Sequence, residues 1–223
     1  MEILVLKGIV KSFIQRGRVL DNLSLEIGKG DAIAIMGPSG SGKTTLLNII
    51  GLLDRPDSGT VTFEGSDILR YSDNDSAAYR NRNIGFVFQE HLLLPHLTVR
   101  DNILLPLLAG GLSRAELKEK EEYVSNLMEM TGITSLSGKY PSFISGGEAQ
   151  RAALVRALAN QPSVLLADEP TGSLDSGNAE ILGNLLAGMN RDLGTTIILA
   201  THSEKLAGKM NRTLMITDGK LSK

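Results

Sequence analysis

Residues 37–44 read GPSGSGKT, and this stretch decides the fold of the chain. It fits the pattern G-x-x-x-x-G-K-[ST] of a phosphate-binding P-loop. The apolar run Ala32–Met36 before it predicts a buried strand, and residues 45–50 after it predict a helix that stops at Gly51. This strand–loop–helix order is the setting in which a P-loop binds phosphate. We therefore expect an α/β fold with a mostly parallel sheet.

The loop carries the chemistry of a triphosphate site. Its small residues let backbone N–H groups converge on phosphate oxygens, and the helix start adds the positive end of its dipole. The Lys43 ammonium would reach the β- and γ-phosphates, and the Thr44 hydroxyl would bind Mg²⁺. An ordinary glycine-rich turn is not expected between these two flanks. The expected nucleotide-binding residues here are Gly37, Ser39, Gly40, Ser41, Gly42, Lys43, Thr44 and Thr45.

The composition limits what else the chain can do. Its 223 residues suffice for one domain with a buried core, and a net charge of −2 implies no strong attraction to nucleic acid. The absence of cysteine rules out a disulfide framework and a thiolate metal site, and it suits a reducing compartment. The N-terminus lacks a signal-peptide pattern, and the longest apolar stretch, residues 103–112, is shorter than the roughly 20 residues of a membrane span. We expect a chain that is soluble by itself.

Three further apolar runs end in polar side chains, at Gln89, at Asp168 with Glu169, and at His202. In open α/β sheets, ligands bind at the carboxyl ends of strands. Asp168 would hold Mg²⁺ beside the P-loop, Glu169 would orient and deprotonate an attacking water, and His202 would touch the γ-phosphate. For Gln89, a ligand contact and a solvated loop position are equally consistent with the residues.

A second anion site is indicated by Ser145-Gly146-Gly147-Glu148, far from the P-loop in sequence. Ser145 and Glu148 have capping-box spacing, and the helix predicted after them is rich in alanine and leucine. Two glycines in the first turn leave backbone N–H groups uncovered. The residues fit an anion site and a simple capped helix start equally well.

The remaining segments predict supporting structure. Phe13 ends a strand before the P-loop, and the residues alone favour core packing for it. Residues 15–18 predict a solvated loop, and residues 90–159 change to helical patterns. Leucine-rich segments broken by Pro95 and Pro106 fit either plain core or a partner groove. The strands predicted in the N-terminal region are 3–6, 9–13, 23–27 and 32–36.

Taken in order, these motifs resemble the nucleotide-binding subunit of an ABC transporter. The resemblance covers essentially the whole chain, and the Ser-Gly-Gly-Glu stretch discriminates, since P-loops occur in many other ATPases. It implies one domain over residues 1–223. Residues 1–89 and 160–223 would form the ATP-binding core with an N-terminal antiparallel β subdomain, and residues 90–159 would form an α-helical subdomain.

The resemblance also implies roles for single residues. Phe13 would stack on the adenine of ATP, and Gln89 would sense Mg²⁺ and the membrane subunits. The Ser145–Glu148 segment would cover ATP held by the P-loop of a second, head-to-tail copy. Asp175 would support the seam between the two copies. ATP and Mg²⁺ are the implied cofactors, and Lys43, Gln89, Glu169 and His202 the implied catalytic residues.

Several segments narrow the resemblance to the lipoprotein-releasing and macrolide-exporter ATPases (LolD and MacB types). They are residues 85–89, 101–107, 166–172 and 206–212. Two positions depart from the pattern: Ile144 stands where the family usually has leucine, and Ser173 where this subfamily usually has asparagine. Neither change removes a phosphate ligand.

The implied function is ATP hydrolysis that drives a membrane-embedded permease from the cytoplasmic face of the inner membrane. The cargo would be a lipoprotein, a lipophilic compound or a peptide, and the apolar segment after Gln89, including Leu93 and Leu94, would contact the permease. The alternative is a mechanical regulator of a membrane partner that carries no cargo. A role in DNA repair or translation is disfavoured, because the chain lacks a coiled-coil insertion, a second ATPase domain and a basic stripe.

Overall fold

The computed structural model describes residues 1–222, and Lys223, the end of the predicted domain, lies outside the described residues. The described chain contains two β-sheets and seven α-helices. The strands are β1 (Glu2–Phe13), β2 (Gly17–Gly28), β3 (Ala32–Met36), β4 (Ser58–Phe63), β5 (Ser66–Asp67), β6 (Ile84–Val87), β7 (Val164–Asp168), β8 (Thr196–Ala200), β9 (Arg212–Thr217) and β10 (Lys220–Ser222). The helices are α1 (Lys43–Ile50), α2 (Asp73–Asn83), α3 (Val99–Leu108), α4 (Arg114–Met130), α5 (Gly146–Leu158), α6 (Ser176–Leu193) and α7 (Glu204–Ala207).

The larger sheet has the strand order β10-β9-β3-β8-β7-β6. The pairs of β3 with β8 and β9, and of β7 with β6 and β8, are parallel, while the hairpin β9–β10 is antiparallel. The expected α/β fold with a mostly parallel sheet is therefore confirmed. Strands β3 and β8 match their apolar runs residue for residue, because a strand buried on both faces reads as continuous hydrophobic sequence.

The smaller sheet is antiparallel, with the order β2-β1-β4-β5. The prediction of separate strands 3–6 and 9–13 is wrong, because β1 is continuous. Its pairing with β2 shifts register between Leu6 and Ile9, and Gly8 lies there at φ 61°. A bulge of this kind bends a strand without ending it. The predicted loop 15–18 is too long, since Gly17 and Arg18 already pair with β1.

Two hydrophobic cores lie on opposite faces of the larger sheet. Along β3, Ile33 and Ile35 pack in one core with α1 and the small sheet. Ala32 and Ala34 pack in the other core with α3, α4, α5, α6 and α7. Because both faces are covered, the carboxyl ends of the parallel strands are where loops can meet a ligand.

Helix α3 runs through Pro106, so the prediction that proline breaks this segment is wrong. Proline lacks an N–H and its ring crowds the carbonyl four residues before it, but here it lies in the last turn, so the effect is confined to the end of the helix. The Pro106 carbonyl accepts hydrogen bonds from the side-chain amides of Asn81 (2.9 Å) and Asn160 (3.1 Å), which hold that turn in place.

Helix α1 ends at Gly51, as expected, but for a different reason. Gly51 has a φ of −83°, and Leu52 after it takes the left-handed conformation at φ 52°. A Cβ on Gly51 would lie 2.0 Å from the ring carbon Cζ of Phe86. Glycine therefore allows close packing against β6 at this position.

Candidate functional site

A cavity of about 1330 Å³ lies where the P-loop meets the carboxyl ends of β7 and β8. The β1–β2 turn and the segment after β6 complete its walls. The structure thus brings most of the predicted site residues to one place. Those that line the cavity are Phe13, Ser39, Gly40, Gly42, Lys43, Thr44, Thr45, Gln89, Asp168, Glu169 and His202.

The P-loop conformation depends on its glycines. Gly37, Gly40 and Gly42 have φ values of 153°, 80° and 107°, which favour glycine. A Cβ on Gly37 would lie 2.3 Å from the carbonyl oxygen of Ile216 in β9, and one on Gly42 would lie 2.7 Å from Cδ2 of Leu20 in β2. Both sheets therefore press on the loop and fix its shape.

Lys43 is buried, with 7% of its surface exposed. Its ammonium donates hydrogen bonds to the carbonyl oxygens of Gly37 (2.8 Å) and Pro38 (3.1 Å). An ammonium has three N–H donors, so one remains for a ligand oxygen. The two carbonyls point the charge over the loop, where phosphate oxygens would lie.

Asp168 carries a buried carboxylate oxygen, Oδ1, that has no hydrogen-bond partner. Burial raises the pKa of this carboxyl, as does the Glu169 carboxylate, while a hydrogen bond from the Thr44 hydroxyl and the Lys43 ammonium lower it. An unpaired carboxylate oxygen is unfavourable unless a cation binds it.

These groups fit Mg²⁺. Carboxylate and hydroxyl oxygens are the ligands this ion prefers, with water and phosphate completing its shell. Within residues 1–222, no group of three or more His, Cys, Asp and Glu side chains could hold a metal. The ion would therefore depend on the nucleotide phosphates for part of its coordination.

Glu169 is held tightly, although its backbone is strained at φ 45°. Its N–H donates to the carbonyl oxygen of Ala200 at 2.9 Å. One carboxylate oxygen, Oε2, accepts from the Thr201 hydroxyl (3.2 Å) and the His202 backbone N–H (3.3 Å), and lies 2.9 Å from His202 Nδ1. The other oxygen makes no such contact and is available to a water in the cavity.

Two other predicted residues complete this edge. The His202 side chain is 73% exposed, and its Nδ1 contacts the carboxylate of Glu169. Gln89 is held through its main chain, since its carbonyl accepts a hydrogen bond from the Ser173 hydroxyl at 3.1 Å. The preceding carbonyl, of Phe88, accepts from the side-chain amide of Gln150 in α5 at 2.6 Å.

Ser145, Gly146, Gly147, Glu148 and Asp175 do not line the cavity. The capping box is present, with Ser145 Oγ accepting from the Glu148 N–H (3.3 Å) and Glu148 Oε2 accepting from the Ser145 N–H (2.7 Å). The hydrogen bond from the Ser145 backbone lowers the pKa of Glu148. The N-terminus of α5 is therefore ordered and capped.

Asn178 connects this helix start to Asp175. Asp175 caps α6 by accepting from the Asn178 N–H (2.9 Å) and side-chain amide (2.7 Å). A Cβ on Gly147 would lie 2.2 Å from Oδ1 of Asn178, so this glycine permits close packing of α5 against α6. The two segments form one surface, separate from the cavity of the same chain.

Several residues of the site were not predicted from the sequence. Gln15 and Arg16, expected in a solvated loop, line the cavity together with Val19 and Asn48. They reach it because β1 and β2 project the turn over the P-loop, and no local signal encodes that placement. Thr201 was also missed, although a polar residue closing a buried strand is a usable signal.

Among the described residues, no helix has both the length and the apolar character needed to cross a membrane.

Comparisons with known proteins agree with this geometry. Residues 20–172 match the protein family described as "ABC transporter". The lipoprotein-releasing system ATP-binding protein LolD of Bacteroides thetaiotaomicron is 45% identical over 218 residues, covering 98% of each chain. An uncharacterized ABC transporter ATP-binding protein of Bacillus subtilis, YknY, is 44% identical, covering 91% of this chain and 86% of YknY.

A solved structure is similar over nearly its whole length. The ATP-binding cassette MJ0796, in a dimeric post-hydrolysis state bound to ADP and Pi, matches with a TM-score of 0.86 and 35% identity. The match covers 99% of this chain and 97% of that chain.

Proposed function

The chain belongs to the ABC transporter ATP-binding family, and from this premise we propose that two copies hydrolyse ATP head to tail to drive a membrane permease. It is the ATPase subunit of a transporter.

One observation carries the proposal. Lys43, Asp168, Glu169 and His202 line a single cavity, whereas the uncovered helix start at Ser145 lies outside it. A phosphate bound by the P-loop would therefore be contacted from one side only. A second copy, turned head to tail, would supply on the other side the N–H groups of its own Gly146 and Gly147, which the capping box does not use. The dimeric state of the similar cassette MJ0796, bound to ADP and Pi, supports the pairing of two copies.

Each residue then has a defined task. Lys43 and the P-loop N–H groups bind the phosphates, and Phe13 stacks on the adenine. Glu169 accepts a proton from the attacking water through its free oxygen. His202 contacts the γ-phosphate, and Asp175 supports the seam between copies through the capped start of α6.

Mg²⁺ would be held by Thr44, Gln89 and Asp168. When bound, it would supply positive charge that stabilises the phosphate oxygens during transfer. The unpaired Oδ1 of Asp168 is the protein group that gains most from its binding, because the cation removes an uncompensated buried acceptor.

ATP would act as the contact between copies, bound more tightly in the closed dimer than in either open half. Loss of phosphate after hydrolysis removes the bridging charge, and the dimer opens. In this proposal, residues 1–89 and 160–223 form the core, and residues 90–159 form the helical subdomain that turns towards the partner copy.

The membrane partner would bind the segment after Gln89, from the cytoplasmic face of the inner membrane. Leu92 and Leu94 are 52% and 40% exposed there. Leu93, expected in the same groove, is 6% exposed and belongs to the core, so its expected contact with a partner is wrong. By relation to LolD of Bacteroides thetaiotaomicron, we propose lipoprotein release, with export of a lipophilic compound or peptide as the broader class.

A mechanical regulator without cargo remains the second candidate. The ATP site and the apolar segment would serve transport and regulation equally well. Only the behaviour of the membrane partner therefore distinguishes the two functions. A reconstituted complex that releases lipoprotein from a membrane supports transport. A complex that hydrolyses ATP and changes its partner's activity without moving any substrate supports regulation.

Replacement of Glu169 with glutamine tests the catalytic assignment. The amide oxygen can accept the bonds that Oε2 accepts, and the amide nitrogen then replaces the free oxygen and accepts nothing. We expect unchanged ATP affinity, a fall in turnover of about 10²- to 10⁴-fold, and an ATP-bound dimer in size-exclusion chromatography. Normal turnover in this variant would refute Glu169 as the base.

A further inference from the structure

Lys11 lies against the ring of Phe13, with Nζ 5.2 Å from the ring centroid. Phe13 lines the nucleotide cavity, and Lys11 does not. The Phe13 ring therefore borders the cavity and also has a cation over one of its faces. Its side chain is 12% exposed, so the contact is partly shielded from water.

The ammonium is fixed in this position by the segment that follows the P-loop helix. Nζ donates to Asp54 Oδ1 at 2.7 Å and to the carbonyl oxygen of Arg55 at 2.7 Å. Both residues follow α1, whose N-terminal end carries Lys43. The eight residues of α1 span about 12 Å, so this helix joins a phosphate contact at one end to the Phe13 ring at the other.

The backbone of β1 has an anchor of its own beside this one. The Ser12 N–H donates to Asp57 Oδ2 at 2.7 Å, and the Asp57 N–H donates to the carbonyl oxygen of Val10 at 2.8 Å. These bonds hold the strand end without Lys11. What Lys11 adds is therefore a constraint on the ring and on its charge distribution.

We propose that Lys11 is a positioning residue for nucleobase binding. A cation on one face of an aromatic ring is attracted by the π-density and draws it towards that face. The opposite face then stacks more favourably on an electron-rich purine. Lys11, held by Asp54, both orients the Phe13 ring and prepares its cavity face for adenine. The inference rests on the proposed contact between Phe13 and the base of ATP.

The test compares nucleotide with base-free ligand on the full chain. Calorimetry without Mg²⁺ measures binding of ATP and of inorganic tripolyphosphate to the wild type, Lys11→Met, Lys11→Arg and Phe13→Ala. Lys11→Met keeps the apolar stem and leaves Asp54 solvated and bonded to the Arg55 N–H. We expect Lys11→Met to weaken ATP binding roughly three- to tenfold, with unchanged tripolyphosphate binding. Lys11→Arg should restore ATP affinity, and kcat with Mg²⁺ should stay at the wild-type value.

Other outcomes are equally decisive. If Lys11→Met weakens the binding of ATP and of tripolyphosphate by the same factor, Lys11 acts on the P-loop helix and the inference is overturned. If it binds ATP like the wild type while Phe13→Ala is impaired, Phe13 contacts the base and Lys11 does not position it. If Phe13→Ala also binds normally, the proposed role of Phe13 fails as well. Asp54→Asn loosens Lys11 without removing it. It should weaken ATP binding less than Lys11→Met does and leave tripolyphosphate binding unchanged. This variant provides the test if Lys11→Met folds poorly.

Discussion

Replacing Asp168 with asparagine should stabilise the protein in the absence of nucleotide and Mg²⁺ while abolishing Mg²⁺-dependent hydrolysis. The reason is the buried Oδ1, which has no hydrogen-bond partner. An amide in its place carries no charge, and its oxygen can still accept a hydrogen bond from the Thr44 hydroxyl. The variant thus removes an unfavourable group that is kept for its chemistry.

The magnitude follows from the environment of that oxygen. An unsatisfied buried polar group costs about 1–3 kcal/mol, and a charged one costs more. The asparagine amide leaves a neutral polar group in the same place, and Asp168 is only partly buried, so we expect the loss of the charge to gain about 1–2 kcal/mol. For a chain of this size, each kcal/mol moves the melting temperature by roughly 2–4 °C, so the expected rise is about 2–8 °C.

The gain should depend on pH. Burial raises the pKa of Asp168 in the folded state above its usual value of 3.8. An acid whose pKa is raised in the folded state begins to destabilise the fold as the pH rises past its unfolded-state pKa, and this effect is complete above the folded-state pKa; asparagine does not titrate. The advantage of Asp168→Asn is therefore full above the folded-state pKa of Asp168 and fades as the pH falls through that pKa towards the usual range of an aspartic acid.

Circular dichroism melting in EDTA, over a series of pH values, measures this difference. Asp175→Asn is a matched control, because hydrogen bonds from the Asn178 backbone and side chain lower the pKa of Asp175 at the start of α6. That control should show no gain at neutral pH. A lower melting temperature for Asp168→Asn, or an advantage that is the same at every pH, would refute the reasoning.

Two further predictions concern the contacts outside the cavity. Ser145→Arg should bind ATP normally as a monomer but fail to hydrolyse it, because the arginine side chain would block access to the phosphate bound by the second copy. The control Ser145→Ala loses the same helix cap, worth about 1 kcal/mol, and should keep substantial activity. Loss of ATP binding by the Ser145→Arg monomer would mean that Ser145 acts within its own chain. Leu94→Glu should release the membrane partner in co-purification while the melting temperature stays near wild type, whereas Leu93→Glu should unfold the protein, because it buries a charge in the core. Undiminished co-purification of Leu94→Glu would exclude this segment as the docking site.

The parts of the fold that could be predicted from sequence are those with strong local causes. β3 and β8 are apolar runs buried on both faces, and the start of α5 is marked by the capping-box spacing of Ser145 and Glu148. Asp168 ends an apolar strand, and the carboxyl ends of parallel strands meet at one edge of the sheet, so its position near the P-loop could also be predicted. Each of these signals lies within a few residues of what it determines.

The parts that could not be predicted depend on distant contacts. Gly8 marks a bulge only because β2 pairs across it, and Pro106 stays in a helix with help from Asn81 and Asn160. The left-handed backbone of Glu169 follows from bonds to Ala200 and its neighbours in another strand. Such tertiary contacts override the local preference of the residue.

Helix α5 joins two regions that the sequence keeps apart. Its first turn carries the Ser145 cap, and further along Gln150 holds the carbonyl of Phe88 while Arg156 donates to the carbonyls of His91 (2.8 Å) and Leu92 (2.7 Å). The segment around Gln89 is thus tethered to the helix at several points. If a second copy contacts α5 at Ser145 as proposed, a tilt of the helix would move the segment around Gln89 and the exposed leucines beside it through these hydrogen bonds.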